Sequence, residues 1–144
     1  MVSQGAKANI AGQKLENIIE QIFINKDIKY NKQVKFTGIY GNAKSKNRMD
    51  FCITLNNKTY GVECKSQSVA GSVDEKIPYV MLNGLAFDSD AFIFVIDGAH
   101  FEKKKEIKEG AINFAKKQSK EIYVLNRKEF EEFVANSKMG WWEA

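Results

Sequence analysis

The sequence predicts an α/β domain in which helices pack on a mixed β-sheet. Three observations support this class: an amphipathic leading helix, a hairpin of two strand-forming runs after it, and a second half in which apolar strands alternate with helices. The chain has 144 residues, an ordinary length for one domain with a substantial core. We therefore expect a single domain over residues 1–144.

The first half of the chain opens with a predicted helix over residues 6–25. Its buried stripe follows helical spacing, and Glu16 falls at the edge of that stripe. Two strands are predicted next, at 28–30 and 34–40, and the polar, Gly- and Asn-containing residues 41–46 indicate a loop. The buried stripe consists of Leu15, Ile18, Ile19, Ile22 and Phe23.

The second half alternates helices and strands. A helix is predicted over 72–87, because Ser72 and Glu75 form a capping-box pattern, although Pro78 also permits a kink or a later start near Ile77. The apolar run 91–96 is typical of a strand buried on both faces. A helix over 105–119, a strand over 122–125 and a last helix over 127–136, capped by Asn126, complete the prediction.

The hairpin carries the most informative charges of the chain. Its two strands flank Asn56-Asn57, a dipeptide that tolerates the positive φ angles of a tight turn. A hairpin closed on that pair places Asp50 opposite Glu63, with Lys65 two residues further along the strand. Two carboxylates this close repel each other unless a cation joins them, so the arrangement suits metal-assisted hydrolysis of a phosphodiester.

Alternate residues of this hairpin form two different faces. The apolar face is expected against a core, whereas the uncharged residues of the other face are small and leave room for a substrate backbone. A slip of one residue would separate the acids, and an exposed strand with ordinary surface charges is then the alternative. The apolar face comprises Met49, Phe51, Ile53, Leu55, Tyr60, Val62 and Cys64, and the second face Asp50, Cys52, Thr54, Thr59, Gly61, Glu63 and Lys65.

On these residues the chain resembles the PD-(D/E)XK nuclease superfamily, which includes many restriction endonucleases and archaeal-type Holliday-junction resolvases. Met49-Asp50 matches the first half of the motif and Glu63-Cys64-Lys65 the second, with Met49 where the name-giving proline would stand. The predicted order of elements is also similar over nearly the whole chain. The resemblance implies a restriction-endonuclease-like three-layer α/β/α domain with a central mixed sheet.

The resemblance also implies a site and an activity. Asp50, Glu63 and the backbone carbonyl of Cys64 would hold Mg²⁺, for which Mn²⁺ could substitute, and Lys65 would act on the attacking water. Relatives often place a glutamate of the leading helix near the metal, directly or through water, and Glu16 fits that role; a solvated helix-flank residue is its alternative. Gln67 would lie close to the site, or else is an ordinary polar residue at a strand end.

The charge of the chain favours nucleic acid as its partner. The net charge is +4, and Lys44, Lys46 and Arg48 crowd the loop before Asp50, where phosphate contacts would be salt-sensitive and independent of sequence. Lys76 could orient DNA as well, although solvation explains it adequately.

Other classes of function are disfavoured by composition. Two cysteines without a CxxC, on opposite faces of the hairpin, and the single histidine give no support for a disulfide framework, a structural zinc site or a Ser-His triad. We expect no membrane span and, without a signal-peptide-like segment at the N-terminus, a cytoplasmic protein. The predicted function is a Mg²⁺-dependent DNA endonuclease of restriction type, expected as a homodimer. A Holliday-junction resolvase and a non-catalytic nucleic-acid-binding domain are the alternatives.

Overall fold

The computed structural model describes residues 4–39, 47–67 and 73–143. Five helices and five strands occur in this part of the chain, and no helix in it combines the length and apolar character needed to cross a membrane. In chain order the elements are α1 Gln4–Asn25, β1 Tyr30–Lys35, β2 Arg48–Leu55, β3 Lys58–Ser66, α2 Val73–Ala86, β4 Ala91–Asp97, α3 Ala99–Lys103, α4 Lys105–Lys116, β5 Glu121–Asn126 and α5 Arg127–Glu143.

The strands form one mixed sheet in the order β1-β2-β3-β4-β5. β2 pairs in antiparallel orientation with both β1 and β3, whereas β4 pairs in parallel orientation with both β3 and β5. The β2–β3 register pairs Phe51 with Val62, and Asn56 and Asn57 both adopt positive φ angles, 52° and 63°. The predicted hairpin and its register are therefore confirmed.

Helices cover both faces of the sheet. Between the sheet and helices α1 and α5 lies one hydrophobic core, here called the α1-side core. A second, the α2-side core, lies between the opposite face of the sheet and helices α2 and α4. The predicted three-layer α/β/α arrangement with a central mixed sheet is confirmed. The α1-side core includes Leu15, Ile19, Phe23, Phe51, Val62, Ile93 and Phe130, and the α2-side core includes Met49, Val80, Met81, Phe92, Phe94 and Ala111.

The prediction of two strands at 28–30 and 34–40 is wrong. A single strand, β1, spans the polar residues at which we placed the break. It lies at the edge of the sheet, where Asn31 and Lys32 remain exposed while their backbones pair with β2, and Gln33 is exposed as well. Ile28 is buried in a turn before the strand, where Asp27 has a φ of 55°.

The helices differ from prediction mainly at their ends. α2 begins at Val73 with Pro78 inside it, so the alternative of a later start at Ile77 is wrong, and Ser72 of the expected capping box lies outside the described residues. The short helix α3 was not predicted, and α5 runs to Glu143 instead of ending at 136.

The start of α5 was predicted correctly. The amide of Glu129 donates to Asn126 Oδ1 at 2.7 Å, and the amide of Asn126 donates to Glu129 Oε1 at 2.9 Å. This reciprocal capping box begins the helix directly after β5.

Part of the small-residue face of the hairpin is covered by a helix end. Gly61 is buried, and a Cβ atom added there would lie 2.7 Å from the ring of Phe87. Cys52 packs against the α2-side core as well. Gly61 therefore makes room for Phe87, and the prediction that small residues leave space for a nucleic-acid backbone is wrong at Gly61 and Cys52.

Candidate active site

Asp50 and Glu63 are held together by reciprocal hydrogen bonds between β2 and β3. The amide of Asp50 donates to Glu63 Oε1 at 3.2 Å, and the amide of Cys64 donates to Asp50 Oδ2 at 2.9 Å. The confirmed register, continued by one residue pair, places these two acids opposite each other. Each carboxylate therefore has one oxygen fixed by the neighbouring strand.

The alternation of side chains along β2 breaks at Asp50. Phe51 belongs to the α1-side core and Met49 to the α2-side core, although a regular strand would place both on one face. The register pairs Lys32 with Phe51 and Val34 with Met49, so the residue facing Asp50 is Gln33, whose φ is 50°. The prediction that Met49 shares the face of Phe51 is wrong, because the backbone is irregular at this point.

Gln33 links the predicted acids and was not itself predicted. Its amide nitrogen lies 3.1 Å from Glu16 Oε1 and 3.5 Å from Asp50 Oδ1. Glu16 reaches this point from α1 and is half-buried. The structure therefore brings Glu16, Asp50 and Glu63 together from three elements, with a neutral donor between two of them.

Two acids of this cluster, Glu63 and Glu16, have raised pKa values. Burial, and then the charge of Asp50, raise the pKa of Glu63 well above its ordinary value. The same two causes raise the pKa of Glu16, although Lys32 and Lys65 oppose the shift. The carboxylates thus lie close enough to repel one another when ionised, and a bound cation would relieve that repulsion.

Lys65 lies two residues beyond Glu63 on β3 and is partly buried. Its positive charge opposes the rise in the pKa of both Glu63 and Glu16. Gln67 follows the strand, and its backbone is held on both sides: its amide donates to the Asp97 carbonyl and its carbonyl accepts from the His100 amide, each at 3.0 Å.

Residues 7–141 match the family model described as the PD-(D/E)XK nuclease superfamily domain. The chain belongs to the PD-(D/E)XK nuclease superfamily. No curated protein sequence matches it significantly. A crystal structure of a protein of unknown function, AF1548, resembles this PD-(D/E)XK domain with a TM-score of 0.53 at 13% sequence identity. The similar region covers 86% of this chain and 65% of that one, and at this identity the likeness concerns the fold alone.

The donor set of this PD-(D/E)XK domain fits a hard divalent cation. Carboxylate oxygens are the ligands that Mg²⁺ prefers, and this ion usually keeps several waters, so it does not need a complete protein cage. Within the described ranges, no group of three His, Cys, Asp or Glu side chains is placed so that it could hold a metal ion. Asp50 and Glu63 would therefore hold the ion together with water, and Glu16 would reach it through water.

Cys64 can contribute only through its backbone. Its side chain is packed in the α1-side core, and burial raises the pKa of its thiol well above the ordinary value. A protonated, buried thiol is not a metal ligand. The assignment of the Cys64 carbonyl as a ligand stays a prediction.

The predicted DNA contacts lie in different parts of the chain. Arg48 begins β2, two residues before Asp50, and is exposed, and Lys76 is exposed on α2. Lys44 and Lys46 lie outside the described residues. Arg48 is thus the predicted contact that the structure places beside the acids.

Proposed function

We propose that this domain is a metal-dependent DNA endonuclease that hydrolyses phosphodiester bonds with Mg²⁺. The observation that carries the proposal is the pair of reciprocal bonds between Asp50 and Glu63, with Glu16 beside them and Lys65 on the same strand as Glu63. Two fixed acids, a third from a helix and a lysine form the combination that metal-assisted phosphodiester hydrolysis requires.

Each residue has a separate part in the proposed reaction. The carboxylates of Asp50 and Glu63 bind the ion directly and that of Glu16 binds it through water; the ion, when present, supplies Lewis-acid charge stabilisation and a more acidic water. Lys65 orients the attacking water and, as a neutral amine, accepts its proton; the ammonium formed in this way offsets the negative charge that develops on the phosphate oxygens. Arg48 holds the DNA backbone near the acids.

The direct test is cleavage by the purified domain with Mg²⁺, with Mn²⁺ and with EDTA. We expect cleavage with either metal and none with EDTA. Lys65→Ala should reduce the rate at least ~100-fold, because general acid–base catalysis contributes about 10²–10⁴-fold. Lys117→Ala is the matched control, since Lys117 is exposed at the far end of α4. A Lys65→Ala protein that cleaves at the wild-type rate would refute the assignment.

The choice of DNA separates a restriction-type enzyme from a resolvase. A panel of linear duplex, supercoiled plasmid and four-way junction should show cleavage of the duplex and the plasmid if the restriction-type proposal is right. Cleavage confined to the junction would assign the domain as a resolvase. Binding to all three without cleavage, at any metal concentration, would instead indicate a non-catalytic DNA-binding domain.

Cutting both strands of a duplex calls for two sites, so the proposal includes a homodimer. Sedimentation of the protein with and without a cleavable duplex measures this directly. Paired cuts by a species with twice the monomer mass are expected. A monomer that only nicks one strand would contradict this part of the proposal.

A further inference from the structure

A cavity of about 590 Å³ opens at the carboxyl ends of β4 and β5, between these strands and the helices α3, α4 and α5. It begins one strand away from the candidate active site, because Lys65 of β3 pairs with Ile96 of β4, and Ser66 pairs with Asp97. Neighbouring strands lie about 4.8 Å apart. The nearest wall of the cavity therefore lies about one strand spacing from the backbone of Lys65.

The lining of the cavity combines three kinds of side chain. Ile96, Phe101 and Ile112 make its floor apolar, and Lys105, Arg127 and Lys128 place cations at its rim. These three cations are exposed at the starts of α4 and α5, whereas the fourth cation of the lining, Lys108, is paired with Glu129.

The acidic part of the lining is Asp97, Glu102 and Glu109. A surface that only follows a phosphate backbone would carry cations without an apolar floor or carboxylates. A nucleotide, by contrast, presents a phosphate for cations, an apolar ring face, and ring amino groups that donate to carboxylates. The volume also lies within the ~300–1,000 Å³ that is usual for small-ligand pockets.

We propose that this cavity binds a single nucleotide of the substrate strand, with its base inside the cavity and its phosphate at the cationic rim. The proposal rests on the proposed function, since it takes DNA as the substrate. A base reaches such a cavity only by leaving the stack, which costs least at an unpaired position. The domain should therefore prefer DNA that contains an unpaired nucleotide.

Binding, measured without cleavage, tests this proposal separately from the activity. The Lys65→Ala protein is titrated, in Mg²⁺, with a fluorescent paired duplex and with the same duplex carrying one unpaired nucleotide. We expect about tenfold or tighter binding of the second DNA, because the cost of extruding the base is avoided. The double variant Arg127→Ala/Lys128→Ala, made in the same background, should lose this preference.

Both substituted residues are exposed, and circular dichroism checks that the double variant folds. The matched control is Lys116→Ala/Lys117→Ala, which removes two exposed cations from the other end of α4 and should keep the preference. Equal binding of the two DNAs, or a preference that survives in Arg127→Ala/Lys128→Ala, would overturn the proposal.

The last measurement is the affinity of the protein for a free deoxynucleoside monophosphate. If it binds as tightly as the unpaired nucleotide in DNA, the cavity serves a soluble nucleotide and the proposal is wrong. The two hypotheses fail in different ways. A preference without any cleavage would refute the nuclease assignment alone, whereas cleavage without a preference would refute the cavity alone.

Discussion

Gly98, between β4 and α3, is the position at which one added methyl group should disturb both the fold and the candidate site. Its φ of 111° and ψ of 159° lie in a region that is essentially restricted to glycine. A Cβ atom there would lie 2.2 Å from the carbonyl oxygen of Gln67. That carbonyl belongs to the segment directly after the Lys65 strand, so relief of the clash requires the segment to move.

The expected cost of Gly98→Ala follows from these contacts. A residue held in such a strained region costs about 1–3 kcal/mol. If Gln67 moves away, its bonds to Asp97 and His100 are weakened, each worth about 0.5–1.5 kcal/mol. We therefore expect the free energy of unfolding to fall by about 2–5 kcal/mol, a large fraction of the 5–15 kcal/mol typical of a domain.

Urea denaturation of Gly98→Ala measures this loss, and Gly110→Ala is the matched control. Gly110 lies inside α4, where an added Cβ would meet no neighbouring side chain within 4 Å among the described residues. Removing glycine from a helix interior should raise the free energy of unfolding by about 0.5–1 kcal/mol. Cleavage by Gly98→Ala should fall because the Lys65 strand end shifts. Wild-type stability in Gly98→Ala, or an equal loss in Gly110→Ala, would refute this reasoning.

Three further predictions concern the acids and the DNA contact. Because the pKa of Glu63 is raised in the folded state, the folded protein binds the Glu63 proton more tightly than the unfolded chain does. The resulting stabilisation of the fold is complete below pH 4.5 and is lost as the pH rises through the folded-state pKa of Glu63. Glu63→Gln should thus flatten the fall in stability between acid and neutral pH, measured by urea denaturation without metal, while abolishing cleavage. Gln33→Ala should lower the free energy of unfolding by about 1–2 kcal/mol without Mg²⁺ and by less with Mg²⁺, because the Gln33 amide separates Glu16 from Asp50. Thermal unfolding measures both values. Arg48→Ala should lower the slope of log affinity against log salt concentration by about 0.9, as expected for one lost phosphate contact.

The hairpin was predictable because its turn and its pattern agree. Asn56-Asn57 fixes where the chain reverses, and each residue opposite another then follows by counting. The position of Glu16 was predictable for a similar reason, since helical spacing places it beside the buried Leu15. Local rules therefore sufficed for the acids that belong to regular elements.

Gln33 and the break at Asp50 could not be found in the same way. An edge strand tolerates polar residues, so Gln33 gave no strand signal. Its side-chain contact with Asp50 depends on a strand that the apolar pattern divided in two. The prediction for Met49 failed because strict alternation was assumed across an irregular backbone. The packing of Phe87 on Gly61 was not predicted, because the two residues are far apart in the sequence.

The irregularity at Asp50 explains why the site forms at this point of the sheet. In a regular strand, neighbouring side chains point to opposite faces, and an acid that faces one helical layer is separated from the other layer by the sheet itself. Here the break lets the Asp50 carboxylate bond to the backbone of β3 while staying within reach of the Gln33 amide, which also binds Glu16 of α1. This gathering of acids raises the pKa of Glu63 and of Glu16, and those two shifts make folding less favourable as the pH rises, so packing alone does not account for the cluster. The two fully packed cores on either side supply the stability that allows such a repulsive cluster to persist until a cation binds.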